Sequence, residues 1–284
     1  MRDLADDLWR ICKEDKTAFV GGLVILGYVV LAFFGPLIDR PGAVGGPAQS
    51  YEGPSLHHLL GTDFAGQGVL SQVVVGTRPV MEVGVLSALM VVFVGVTVGL
   101  ATGYLGGFFD SAVMRVTDVF LTIPGLPLII VIASVVRTSS PVVLAGILSI
   151  TGWAGLARAV RSQAMSLRAV DFIEAAKAQG LPLRNMIGRQ LLPNVGPYVA
   201  IHFLLAITGA IYAEVGLFLL GVAPISGTNW GTMLNYAVGQ GAMYNPKSMF
   251  YLFSPMAAIV LLQVSFVFFT RALDKLFNPR LRVR

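Results

Sequence analysis

Six long apolar stretches constrain the fold of this 284-residue chain more than any other feature. A bilayer core of about 30 Å requires roughly 20 apolar residues in each helix that spans it. Only 12% of the residues are charged, whereas a soluble domain carries about 25%. The sequence therefore predicts an all-α membrane protein with six transmembrane helices, at about residues 17–37, 79–104, 111–136, 141–160, 196–222 and 251–273.

These spans divide the chain into four predicted parts. Residues 1–16 are an N-terminal segment, 17–78 the first helix with a long loop, 79–273 the core transmembrane domain, and 274–284 a basic tail. The first apolar stretch is longer than the apolar core of a signal peptide and no small-residue cleavage site follows it, so we predict a retained helix, with a signal peptide as the minor alternative. At the end of the long loop, residues 68–76 suit a short helix on the membrane surface.

The positions of the basic residues predict the orientation in the membrane. Sixteen of the 20 Lys and Arg residues fall on the side of the two termini and only four on the other side. Because basic loops stay in the cytoplasm, both termini and the loop 161–194 are expected there. The formal net charge of +5 is therefore a topology signal, and we expect no nucleic-acid partner.

The composition also argues against several kinds of site. The single cysteine, Cys12, excludes an intramolecular disulfide or a thiolate cluster. Three histidines are too few and too scattered to suggest a metal site. No phosphate-binding glycine loop followed by Lys-Ser/Thr occurs, and no GxSxG motif. We therefore expect neither catalysis nor a bound cofactor or metal in this chain.

The loop 161–194 is the most informative stretch. Residues 164–179 are good helix formers, and Gly180 suits the left-handed position that ends a helix. Pro182 suits the start of a second helix and Pro193 its end. We therefore predict two short helices joined by a sharp bend.

Within this loop, Glu174-Ala175-Ala176, then Gly180 and Leu192-Pro193, resembles the EAA signature of ABC importer permeases. An ordinary helical hairpin is the alternative interpretation. Other segments resemble the second permease of the dipeptide/oligopeptide/nickel family, among them Leu60-Gly61-Thr62-Asp63, Gly103-Tyr104-Leu105-Gly106-Gly107, Glu214-Val215-Gly216-Leu217 and Asn278-Pro279-Arg280-Leu281-Arg282. The Gly-Arg-Asp that often continues the first of these motifs is replaced by Gly66-Gln67-Gly68, so receptor docking or substrate class is expected to differ.

The resemblance implies the type I importer permease fold, with the cytoplasmic loop as the coupling helix that docks on an ATPase. The residues expected to carry that coupling are Phe172, Glu174, Ala175, Ala176, Gly180 and Arg184. The implied partners are a homologous second permease, two ABC ATPase subunits that bind ATP and Mg, an extracytoplasmic substrate-binding protein and membrane lipid.

The implied location is the plasma membrane of a prokaryote, and the implied cargo is dipeptides or oligopeptides. Oligosaccharides or nickel remain alternative cargoes. A secondary transporter is a more distant alternative, because it needs no ATPase-docking loop and often shows inverted repeats.

A few polar residues are candidates for further roles. Glu214 and His202 lie within the fifth span and are candidates for lining the translocation path, with helix-helix contacts as the alternative. Asp63, Trp230 and Tyr236 are candidates for facing the receptor, with anchoring at the membrane interface as the alternative for the aromatic residues. In the third span, Pro124 and Pro127 predict a kink.

Overall fold

The computed structural model describes residues 15–38, 50–224 and 227–277. This part is helical apart from turns and an isolated antiparallel bridge between Thr62 and Gly68. The helices are α1 (Lys16–Ile38), α2 (Val69–Leu105), α3 (Gly107–Thr122), α4 (Gly125–Val136), α5 (Pro141–Arg168), α6 (Asp171–Ala178), α7 (Leu183–Leu219), α8 (Trp230–Gly239) and α9 (Met249–Phe277).

Five of these helices, α1, α2, α5, α7 and α9, are long and apolar enough to cross a membrane. The bent pair α3 and α4 passes the same test when it is taken as one span, which gives six. The all-α class is therefore confirmed, with five candidate spans or six when the bent pair is counted as one.

Helix α2 is the centre of the bundle and packs closely along α5. Gly95, Gly99 and Gly103 recur every four residues on the face that meets α5. A Cβ atom on Gly99 would lie 2.6 Å from the carbonyl oxygen of Ala157, and one on Gly103 would lie 2.7 Å from the Cβ of Ala164. Small residues at this spacing let two helix backbones approach, so the contact depends on glycine.

Helix α2 begins ten residues before the predicted start at Pro79. The predicted surface helix at 68–76 is therefore wrong, because those residues form the first turns of α2. The physical reason is tertiary packing: the Trp230 indole N–H donates to the Val73 carbonyl at 2.9 Å, and the indole lies against Gly76. These contacts hold the helix together across Pro79 despite the hydrogen bond that proline removes.

The third span is broken, since α3 and α4 meet at 85°. The predicted kink is confirmed at Pro124, where it is a complete change of direction. Ile123, which precedes the proline, is extended, as a residue before proline prefers. Pro127 lies in the first turn of α4, where no backbone donor is required, so it does not bend the helix.

Two ion pairs fasten α3 to α5. The Arg161 guanidinium donates to both carboxylate oxygens of Asp110, which is buried. One turn earlier on α5, Arg158 pairs with Asp118 at a more exposed position. The broken span is thus held against α5 by ion pairs on one side of its bend, whereas on the other side α4 packs against α5 through apolar residues such as Ile129 and Ala133.

Candidate functional site

The predicted sharp bend after α6 is present. Gly180 has a φ of +70°, and the Leu181 N–H donates to the Ala176 carbonyl at 3.3 Å. This is the hydrogen-bond pattern of a Schellman motif, in which the left-handed residue reverses the chain after a helix. No atom lies within 4 Å of a Cβ built on Gly180, so the requirement for glycine there is conformational and not steric.

Helix α6 presents two different faces. Ile173 and Ala176 are buried and pack against Met186 and Leu191 of α7. Ala175 is exposed on the opposite face. As a residue that touches an ATPase, Ala176 is therefore a wrong prediction, because it faces the interior of its own chain, whereas Ala175 remains a prediction.

Three further candidate coupling residues lie in α6 or beside the bend. The side chains of Phe172 and Glu174 lie outside the described residues. Arg184 is exposed in the first turn of α7, beside the bend. It remains a prediction, as do Phe172 and Glu174.

The second short helix is not a separate element. Residues Met186–Leu191 form a π-helical segment, and the helix then continues as far as Leu219. The prediction that Pro193 ends the helix is therefore wrong. A π turn widens the helix immediately before the proline, so Pro193 enters where the regular hydrogen-bond ladder is already interrupted.

The loop is firmly connected to the membrane helices. One apolar cluster joins the inner face of α6 to α2, α5 and the start of α7; its buried members are Val91, Val96, Leu100, Leu156, Val160, Ala164, Ile173, Ala176, Met186, Leu191 and Val195. The inner face of α6 therefore belongs to the same apolar core as the neighbouring parts of α2, α5 and α7.

A cavity of about 430 Å³ lies between α2, α4, α5 and α7. Its wall is mostly apolar, and its polar side chains are Ser87, Thr151 and His202. His202 is half-buried and lies against the ring of Tyr198, with centroids 4.3 Å apart. Tyr198 is on the same helix as His202, so this ring contact is not a helix-helix contact. His202 also faces the cavity, and its role in a path remains a prediction.

Glu214 does not line this cavity. It is fully buried on α7, and its Oε1 accepts a hydrogen bond from the Asn229 Nδ2 at 2.7 Å. Its Oε2 has no hydrogen-bond partner among the described residues. Of the two interpretations offered by the sequence, the geometry favours the contact between structural elements, and the path-lining role has no support from its position.

Asn229 is a residue whose role sequence reasoning missed. The Asn229 side chain accepts a hydrogen bond from the Gly231 N–H at 2.7 Å, and the Asn229 N–H donates to the Thr232 hydroxyl. Asn229 therefore caps α8. The signal was present as Asn-x-x-Thr before an apolar helix, which is a capping-box spacing. Through Asn229, Glu214 of α7 is connected to the start of α8.

The three candidates for a receptor-facing surface differ in whether their side chains are buried. Asp63 is 2% exposed and accepts from the Ala65 and Gln67 N–H groups and from the Gln72 side chain, each at 2.8 Å. Trp230 is 0% exposed. Both are therefore wrong as receptor-facing side chains, because their groups are used inside the fold.

Tyr236 is 38% exposed beside Phe64 and remains a candidate for the receptor-facing surface. It lines a smaller cavity of about 250 Å³ together with Asp63 and Tyr251.

Comparison with known proteins now decides the family. The model for the "Binding-protein-dependent transport system inner membrane component" family matches residues 95–283. The chain belongs to this family. The N-terminal TM domain of oligopeptide transport permease C also matches, at residues 4–54, so the resemblance to the second permease of the dipeptide and oligopeptide systems is confirmed.

Similarity to individual permeases extends along most of the chain. It is 32% identical to the dipeptide transport system permease protein DppC of Bacillus subtilis, over 81% of this chain and 72% of that one. It is 28% identical to the oligopeptide transport system permease protein OppC of Lactococcus lactis subsp. cremoris, over 96% and 93%. It is also 28% identical to the glutathione transport system permease protein GsiD of Pectobacterium atrosepticum, over 97% and 91%.

Proposed function

We propose that this chain is one of two permease subunits of an ABC importer that takes up dipeptides or oligopeptides. The observation that carries the proposal is the similarity, over most of the chain, to permeases named for dipeptide, oligopeptide and glutathione transport. All three named cargoes are peptides. Oligosaccharides and nickel are not favoured as cargo, because none of these relatives is named for them.

The cavity of about 430 Å³ is proposed to form one half of the translocation path, the half that belongs to this chain. A pocket of this volume is within the range of small-molecule sites. Its wall is largely apolar, with Ser87, Thr151 and His202 as its polar groups, which suits peptides of varied side chain better than a highly hydroxylated sugar. A homologous second permease supplies the other wall.

The exposed face of α6, with Ala175, and the neighbouring Arg184 form the proposed docking surface for an ABC ATPase subunit. The packing of Ile173 and Ala176 supports this role, because it places the inner face of α6 in one apolar cluster with residues of α2, α5 and α7. ATP and Mg bind in the partner ATPases, and this chain carries out no bond chemistry. The chain has two arrangements of its helices. It favours one of them when the ATPases bind ATP and the other when the ATP is hydrolysed.

The proposed location is a prokaryotic plasma membrane, with both termini and the loop 161–194 in the cytoplasm. Support comes from the distribution of Lys and Arg residues. An extracytoplasmic binding protein then delivers cargo on the side that carries Tyr236 and the segment 50–68.

The proposed cargo is tested by deleting the gene for this chain in its host and measuring how much labelled dipeptide and oligopeptide the cells take up. We expect peptide uptake to fall to background and to return when the chain is supplied from a plasmid. Uptake of cello-oligosaccharide and of Ni²⁺ in the same cells serves as the control and is expected to be unchanged. Normal peptide uptake combined with loss of one of the control cargoes contradicts the proposal.

A further inference from the structure

A groove with a volume of about 400 Å³ runs between α1 and α2, away from the proposed path. On each helix the lining residues recur three or four positions apart, so they form one continuous face. The residues are Val29, Ala32 and Phe33 of α1, and Arg78, Met81, Glu82, Val85 and Leu86 of α2. Phe33 is 71% exposed, which places the groove on the outside of this chain.

Two opposite charges stand at one end of this apolar groove. Arg78 and Glu82 are four residues apart on α2, and both are exposed. Neither side chain has an ion pair or a side-chain hydrogen bond with another described residue. Neither charge is therefore compensated by a close ion pair within the described residues, and both remain available to a charged partner.

The depth of these charges matches a lipid head group. Glu82 is about 35 Å and Arg78 about 40 Å along α2 from the inner end at Leu105. On α1, Phe33 is about 26 Å from the start of the helix at Lys16. Because the hydrocarbon core is about 30 Å thick, the charged end of the groove falls at the outer membrane boundary and its apolar part falls below it.

We propose that this groove binds one phospholipid that carries an ethanolamine head group. The Arg78 guanidinium donates hydrogen bonds to the lipid phosphate, a pairing that suits its planar geometry. Glu82 lies one turn deeper than Arg78, so its carboxylate accepts a hydrogen bond from the primary ammonium when the ethanolamine arm folds back along α2. One acyl chain lies along the apolar wall formed by Phe33, Val85 and their neighbours.

The pair of charges selects among head groups. A choline group has no N–H to donate to Glu82, and an anionic glycerol head group brings no cation to it. The inference goes beyond the proposed transport function; only the assignment to the outer leaflet rests on the proposed topology.

Native mass spectrometry of the full chain, purified in detergent and stripped of lipid, tests the proposal. The protein is titrated with phosphatidylethanolamine, phosphatidylcholine and phosphatidylglycerol of identical acyl chains. We expect ethanolamine lipid to bind most tightly. Arg78→Ala should weaken its binding by about ten-fold or more, because a charge-assisted contact to the phosphate is lost. Glu82→Gln should remove the preference over choline lipid.

Two further variants complete the test. Ala32→Trp fills the groove and should abolish binding, whereas Arg115→Ala, which removes an exposed arginine on α3, should leave binding unchanged. Thermal unfolding of each variant in detergent checks that it is folded; if Ala32→Trp is not, Arg78→Ala decides.

The proposal is overturned if the wild-type chain binds the three lipids equally, or if Arg78→Ala and Arg115→Ala behave alike. It is also overturned if a photo-reactive probe attached to a cysteine at position 32, in a chain that carries Cys12→Ser, cross-links to another subunit in the assembled importer, since a polypeptide then occupies the groove.

Discussion

Tryptophan substitutions at two adjacent alanines test the proposed docking role of the loop 161–194. Ala175 and Ala176 stand side by side in the EAA motif, but Ala175 is exposed and Ala176 is 6% exposed against Ile173, Met186 and Leu191. Ala175→Trp therefore adds bulk outside the fold, and Ala176→Trp adds it inside. The two variants should fail in different ways.

The expected magnitudes follow from the packing. Overpacking a close-packed site costs about 1–3 kcal/mol, so Ala176→Trp should lower the free energy of unfolding by that amount. Ala175→Trp should change it by less than about 0.5 kcal/mol, as exposed substitutions do. If Ala175 touches the ATPase, the same 1–3 kcal/mol appears as a loss of affinity between subunits of about five-fold to more than a hundred-fold.

Three measurements separate these outcomes: thermal unfolding of the permease in detergent, the amount of ATPase that co-purifies, and peptide uptake. We expect Ala175→Trp to keep normal thermal stability while losing ATPase and uptake, with Ala175→Ser as the matched control that keeps all three. Ala176→Trp should lose thermal stability first. Normal co-purification and uptake with Ala175→Trp would refute the docking face, and unchanged stability of Ala176→Trp would refute the packing.

Three further substitutions have defined expected outcomes. Gly180→Val should abolish peptide uptake, because the left-handed conformation costs a β-branched residue at least about 1 kcal/mol, whereas Gly180→Asn, which tolerates that conformation, should retain most of it. Glu214→Ala should lower the free energy of unfolding by about 1–3 kcal/mol, since it leaves the Asn229 amide without its acceptor, and Glu214→Gln by less. Asp15→Ala should destabilise the chain by about 1 kcal/mol through loss of the α1 cap, and Asp15→Asn, which can still cap, by less.

Each of these outcomes has a direct check. Uptake assays separate the two Gly180 variants, and equal uptake by both would contradict the role given to the bend. Thermal unfolding in detergent ranks the Glu214 and Asp15 variants, and an Ala variant as stable as wild type would contradict the corresponding contact.

The hydrogen bond from Lys275 holds the pKa of Asp15 below its usual value. Because this folded-state pKa is depressed, the contribution of the ion pair is present at neutral pH and is lost as the pH falls through that lowered value.

The sequence predicted the spans well because each needs a long apolar run, and such a run has few alternatives in a bilayer. The ends of the helices were less predictable, since they depend on contacts with distant residues. Helix α2 starts at Val69 because Trp230, more than 150 positions away, packs on its first turns. Likewise, Pro193 is accommodated by a π turn, which leaves no clear pattern in composition.

Burial of individual residues was the least predictable property. Trp230 and Asp63 read as outer-surface residues because they lie in a polar stretch of sequence, but the fold places both inside. Ala176 and Ala175 are identical in sequence terms, and only the direction in which α6 packs distinguishes them. The bend at Gly180 was predictable because its cause is local: a helix that reverses needs a left-handed residue.

The most direct test of the central claim is transport by the reconstituted importer. The chain is co-purified with its partner subunits, placed in proteoliposomes, and supplied with the binding protein and a labelled peptide on the receptor side. The account predicts uptake only when ATP is present on the side of the membrane that carries the loop 161–194 and the binding protein is present on the opposite side. Peptide uptake driven by an ion gradient in the absence of ATP would contradict it.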